Sequence, residues 1–84
     1  MAERIIIDTD IGDDIDDAQA IVLALKSPEI EVVGITTVFR NVHARVQITK
    51  QLLSLAGRKD IPVYAGCGQP LLVEVDLDAV PPQY

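Results

Sequence analysis

Cysteine occurs once in the 84 residues, at Cys67, so no intrachain disulfide can form and a reducing compartment is the natural setting. Cations are scarce: seven Lys and Arg stand against thirteen Asp and Glu, a net charge of −6. That balance argues against nucleic acid or an anionic membrane surface as a partner. No apolar run approaches the roughly 20 residues of a membrane span. The opening MAERIII lacks the basic region and long apolar stretch of a signal peptide, so a cytoplasmic protein is expected. Repeats and low-complexity segments are also absent. What remains is one small domain, residues 1–84, near the lower limit for a self-sufficient core.

What the chain has in excess is aspartate in one place. The stretch IIIDTDIGDDIDDAQA, residues 5–20, gathers six aspartates between Asp8 and Asp17. Two carboxylates ~4 Å apart repel by about 1 kcal/mol in water and about 4 at an effective dielectric near 20. Arg4 is the only cation close by in sequence. Residues 40–59 hold Arg40, Arg45, Lys50, Arg58 and Lys59 with no acid. Either the acidic loop is fully solvated or something positive sits in it.

Periodicity places that loop. Arg4 to Asp8 reads as a short strand, apolar on both faces. From about Asp16, DDAQAIVLALKS is rich in good helix formers, with two acids at the positive end of the dipole and Ser27-Pro28 as a stop. Glu31 to Val38 is a second strand. After Asn41, the residues Val42, Val46, Thr49, Leu53 and Ala56 recur on one helical face that Ile48, Leu52 and Leu55 widen, and Gly57 ends it. Ile61 to Ala65 is a third strand, with Pro62 near its start. The order β-α-β-α-β with short connections predicts an α/β parallel-sheet unit. Residues 71–84 read as an irregular or extended tail, in which LLVEVDLD alternates apolar and acidic residues.

In a parallel sheet all strands end on one edge, where open α/β folds bind ligands. Three segments fall there: the Asp loop, Phe39-Arg40-Asn41, and Gly66-Cys67-Gly68. A hard cation held by carboxylate and carbonyl oxygens, Ca²⁺ or Mg²⁺, answers the charge of the Asp loop directly. A solvated acidic loop with helix-capping aspartates is the plainer alternative. An EF-hand does not fit, because counting from Asp8 puts Gly12 at position five and Gln19 at twelve. The DDxxD within Asp13–Asp17 belongs in isoprenoid synthases to an all-helical fold. A haloacid-dehalogenase type of phosphatase also ends its first strand in DxD, but Gly12 stands where it carries Thr or Val. Asn41 is well suited to cap the second helix. His43 reads as a surface residue of the first helical turn, Cys67 as a packing residue, and Gly66 and Gly68 as turn residues.

The ordered set DTDIGDDIDDAQA, GITTVFRN and IPVYAGCGQPL resembles the inosine-uridine type of nucleoside hydrolases, whose signature runs DTDxG, a short spacer, DDAxA and later TTVxGN. The likeness covers nearly all of the chain up to Leu71. It implies a Rossmann-like N-terminal part of the nucleoside hydrolase fold, within a longer domain. It further implies an N-ribohydrolase acting on a ribonucleoside, a Ca²⁺ cofactor and, at full length, a homo-oligomer. By the same likeness Asp10 is the general base and a metal contact, Asp17 a second metal ligand, and Asp16 and Asn41 are ribose contacts. Asp8 is a supporting acceptor. This sequence departs from the signature in three places. Asp13, Asp14 and Ile15 lengthen the spacer, which leaves Asp14 competing for the role of Asp16. Ile11 replaces a frequent Pro, and Arg40 stands where Gly is typical. Alternatives are the phosphohydrolase and a non-catalytic remnant that binds calcium or a partner chain. The implied strand order 3-2-1 puts both helices on one face of the sheet and leaves the other apolar face open.

Overall fold

Ile5, Ile6 and Ile7 lie on alternating sides of the first strand, and only one side finds a partner. In the computed structural model, which describes residues 2–72 and 74–84, Ile5 and Ile7 pack into the core while Ile6 is 67% exposed. The elements are β1 (Glu3–Thr9), α1 (Ile15–Lys26), β2 (Ile30–Thr37), α2 (Val42–Leu55) and β3 (Val63–Ala65). All pairings are parallel, in the order β1-β2-β3. The α/β unit expected from the sequence is therefore the observed one. Among the described residues no helix is long and apolar enough to cross a membrane.

One core lies between the sheet and the two helices. Ile21 and Ala24 of α1 and Leu53 of α2 meet Val32 and Ile35 of β2, with Ile11 and Ile61 closing the ends. Strict alternation would put Val32 and Ile35 on opposite faces. A bulge prevents this: the register runs Ile5 with Val32, then Ile6 with Gly34 and Ile7 with Ile35, so Val33 is an extra residue and Val32 and Ile35 both face the core. The opposite face carries Ile6 and Tyr64, the latter 59% exposed, with no helix over it.

Local chemistry explains the helix ends. Asp14 accepts from the Ile15 amide at 2.9 Å, Asp16 and Asp17 lie in the first turn, and Lys26 lies in the last, each suited to the dipole. Asn41 Oδ1 accepts from the Ala44 amide at 3.0 Å and caps α2 as expected. His43 is exposed, also as expected.

Four expectations need correction. Leu55 and Ala56 do not extend the packed face of α2: Leu55 points about 200° round the helix from buried Leu53 and is 83% exposed, and Ala56 is the exposed C-cap. The third strand starts at Val63, although Ile61 is buried and the Pro62 carbonyl still accepts from Ile35. Cys67 is exposed rather than packed, its thiol donating weakly to the Gln69 carbonyl at 3.4 Å. The alternating LLVEVDLD forms no strand among the described residues, and Val73 lies outside them. The tail instead crosses the loop edge: the Gln83 amide donates to Gly12 and the Asn41 amide to Ala79.

Candidate functional site

The acidic loop leaves β1 at Thr9, whose side chain faces inward and is buried. Its hydroxyl donates to Asp17 Oδ2 at 2.7 Å and accepts from the Ile11 amide at 3.1 Å. The last residue of β1 is thereby tied to the first turn of α1 across the loop. Asp10 is brought within hydrogen-bonding reach of Asp17. Asp10 is pushed above the usual carboxylate range, first by its hydrogen bond to Asp17, then by burial and by that neighbour's charge. Asp17 is held below the range, first by the Thr9 hydroxyl and then by Asp10. The pair opens onto a shallow depression lined also by Asp8, Ile21 and Val38.

The other aspartates are dispersed. Asp8 projects to the open side of β1 and accepts from the Thr36 hydroxyl at 2.6 Å. Asp14 is the helix cap, and Asp16 is exposed in the first turn without a described partner. Neither lines the depression of the Asp10–Asp17 pair. Asn41 lies in a neighbouring depression with Arg40, His43, Gly68 and Leu77, and its Nδ2 donates to the Asp78 carbonyl at 3.3 Å.

The cation that answers the loop is not Arg4, which pairs with Glu31 at 3.6 Å. It is Arg45, from α2. Its guanidinium is wholly buried, and Nη1 donates to the carbonyls of Asp10 at 2.8 Å and Ile11 at 3.0 Å. Nη2 reaches Asp13 at 3.3 Å, and Nε donates to the Phe39 carbonyl at 2.7 Å. The sequence reading left Arg45 without a role. A signal was present: it lies three residues after Val42 and four before Thr49, inside the apolar stripe, where a lone Arg must be paired. Thr9 and Thr37 were missed as well. Thr37 is buried at the end of β2, with its hydroxyl donating to the Val42 carbonyl at 2.9 Å.

The loop after β2 is strained. Phe39 and Arg40 take φ of 76° and 58°, the left-handed region that costs most side chains about 1–2 kcal/mol. Their amides donate to the carbonyls of Cys67 and Gly68 at 3.1 and 2.8 Å. This close approach explains the two glycines after β3: a Cβ on Gly66 would collide with the Thr37 carbonyl, and one on Gly68 with the Arg40 carbonyl.

Asp10 and Asp17 present oxygen only, two carboxylates whose mutual repulsion a hard cation would relieve. The charge of Arg45 offsets part of it, but its donors are committed to the loop carbonyls and Asp13. The donor chemistry therefore fits Ca²⁺ as part of a shell. No group of three or more His, Cys, Asp or Glu side chains converges in a metal-holding arrangement among the described residues.

A parallel β-α-β-α-β unit with paired carboxylates at its C-terminal edge places the chain among open α/β proteins with an edge site. Comparison with known proteins narrows the class. The family model for inosine-uridine preferring nucleoside hydrolase matches residues 5–81. An uncharacterized protein of Schizosaccharomyces pombe is 55% identical over 71 residues, covering 82% of this chain and 22% of the relative. The probable uridine nucleosidase 2 of Arabidopsis thaliana is 48% identical over 77 residues, 89% of this chain and 23% of the relative. The inosine-uridine preferring nucleoside hydrolase of Crithidia fasciculata is 44% identical over 77 residues, 89% and 24% respectively. The chain belongs to the inosine-uridine preferring nucleoside hydrolase family. It spans about a quarter of the length of these curated relatives. The match does not favour the phosphohydrolase alternative.

Proposed function

We infer that the chain carries the acidic half of a ribonucleoside hydrolase site, in the N-terminal portion of a longer hydrolase domain. The observation that carries this reading is the Asp10–Asp17 pair, which lines one depression at the end of β1 with Asp17 fixed by the Thr9 hydroxyl. Asp10 and Asp17 are the residues to hold Ca²⁺ here. When bound, Ca²⁺ supplies positive charge that orients the ribose hydroxyls and the attacking water.

The chain's own residues do the remaining work. Asp10 accepts the proton of the attacking water at its carboxylate. Cleavage of the N-glycosidic bond develops oxocarbenium-like positive charge on the sugar, which the ionised carboxylates at the edge stabilise. Asp17, ionised and fixed by Thr9, keeps its charge where that develops. Asp16 and Asn41 are assigned to the ribose hydroxyls, Asp14 competing with Asp16, and Asp8 supports through Thr36. The substrate class is a ribonucleoside, following the names of the relatives. The working assembly is a homo-oligomer and the setting the cytoplasm.

The test is release of free base from inosine and uridine by a hydrolase of the relatives' full length that carries residues 5–81. Asp10→Ala is expected to lower turnover by at least ~10²–10⁴. Hydrolysis of phosphate esters through an aspartyl-phosphate at Asp8 would overturn the reading.

A further inference from the structure

Among the described residues Arg45 is the most buried charged side chain, and its side-chain bonds do not serve its own helix. Three of them end on backbone carbonyls of two different loops: Asp10 and Ile11 after β1, and Phe39 after β2. These are the loops that carry Asp10 and Asn41. Neither loop is held by a strand ladder at those carbonyls, and the second is in a conformation that Phe39 and Arg40 resist. Strained backbone persists only where its surroundings over-determine it. The Phe39 ring adds to the hold, with the Arg40 and Arg45 guanidinium carbons 4.9 and 5.6 Å from its centroid.

We propose that Arg45 is a positioning residue that locks the loop after β1 to the loop after β2, fixing Asp10 relative to Asn41. The planar fork is essential to this. One guanidinium satisfies both loops at once, whereas a lysine ammonium on a flexible stem offers a point charge without that geometry. The functional sense rests on the nucleoside hydrolase reading, in which base and ribose contact must share a register. The clamp itself does not.

The test uses the 84-residue chain, with Ile6→Lys in every protein compared to suppress association through the open sheet face, and hydrogen exchange followed by NMR. With Arg45 unchanged, its Nε–H is expected to be protected and to exchange together with the amides of Ile11 and Phe39. Free exchange of that Nε–H would overturn the proposal without any variant of Arg45. In Arg45→Lys, which keeps the charge and loses the fork, the amides of Ile11, Phe39 and Arg40 should exchange about tenfold faster. The amides of Ile35 and Gly66, held by β2 and β3, should keep their rates. Equal acceleration everywhere would mark Arg45 as a general stabiliser, and no acceleration would remove its role; either contradicts the clamp. Titration with Tb³⁺ as a calcium stand-in gives the second arm. Loss of the fork with the charge retained should weaken Tb³⁺ by about tenfold, and unchanged affinity would contradict the positioning of Asp10. Failure of the wild type to bind Tb³⁺ at Asp10 and Asp17 counts instead against the hydrolase reading, while the exchange rates judge the clamp.

Discussion

The Thr9 hydroxyl donates to Asp17 at 2.7 Å, so the last residue of β1 and the first turn of α1 are joined by one short bond beneath the acidic loop. The same oxygen accepts from the Ile11 amide. Thr9→Val keeps the shape and removes both interactions. A hydrogen bond to a charged group is worth about 1.5–3 kcal/mol, so urea unfolding of Thr9→Val is expected to show a loss in that range. A loss below about 0.5 kcal/mol would mean that Asp17 is held by other contacts.

The pair also has a pH signature. Asp17 is lowered in the fold, so its stabilising contribution is present above the unfolded value near ~3.9 and is lost as pH falls through its folded value. Asp10 is raised, so its contribution runs the other way. It is present below ~3.9 and lost as pH rises through its folded value. On acidification from neutrality, Asp10 protonates first in the native state and the chain gains stability. Further acidification removes the Asp17 contribution. Urea midpoints across the acid range should therefore show a gain in wild type relative to Asp10→Asn as pH falls toward ~4. A difference that does not vary with pH would contradict the upward shift of Asp10.

Arg40 sits at φ 58°, where glycine is free of the side-chain penalty. Arg40→Gly gives up the contact with the Phe39 ring, worth about 0.5–1 kcal/mol, and gains about 1–2 from relief of strain. The expected outcome is unchanged or slightly raised stability in urea. A loss above about 1 kcal/mol would show that the Arg40 side chain, not the backbone, holds the loop.

The open face of the sheet predicts self-association of the 84-residue chain on its own. Ile6 and Tyr64 lie there uncovered, and β1 has a free edge. Exposed apolar faces and unpaired edges invite pairing. Size-exclusion with light scattering should show species larger than a monomer, reduced by Ile6→Lys. A monomeric wild type would mean that the face is tolerated in water.

The alternation of elements was legible because each of the first two strands is followed by a helical pattern with its own stop, Ser27-Pro28 and Gly57, whereas the strand order 3-2-1 followed from the family resemblance. Periodicity failed where an element ended sooner than its pattern. Ala56 continues the stripe of α2 but is its exposed C-cap, and Leu55 points away from the buried face. At the site, Asn41 was legible as a cap, whereas Asp14, a candidate ribose contact in the sequence, caps α1. Long-range pairing was not legible. Arg4 is the only cation near the loop in sequence, whereas Arg45 reaches it from 34–35 residues away. Nothing in a linear reading distinguishes a solvated Arg from a buried clamp except its place within an apolar stripe.

The central claim, that Asp10 and Asp17 together form a cation site, is tested most directly by calorimetric titration of Ca²⁺ into the 84-residue chain and into Asp10→Asn and Asp17→Asn. Two carboxylates supply only part of a six-to-eight-oxygen shell, so wild-type binding is expected to be weak, about millimolar at best, and lost in each variant. Binding of equal strength in all three proteins would contradict the account.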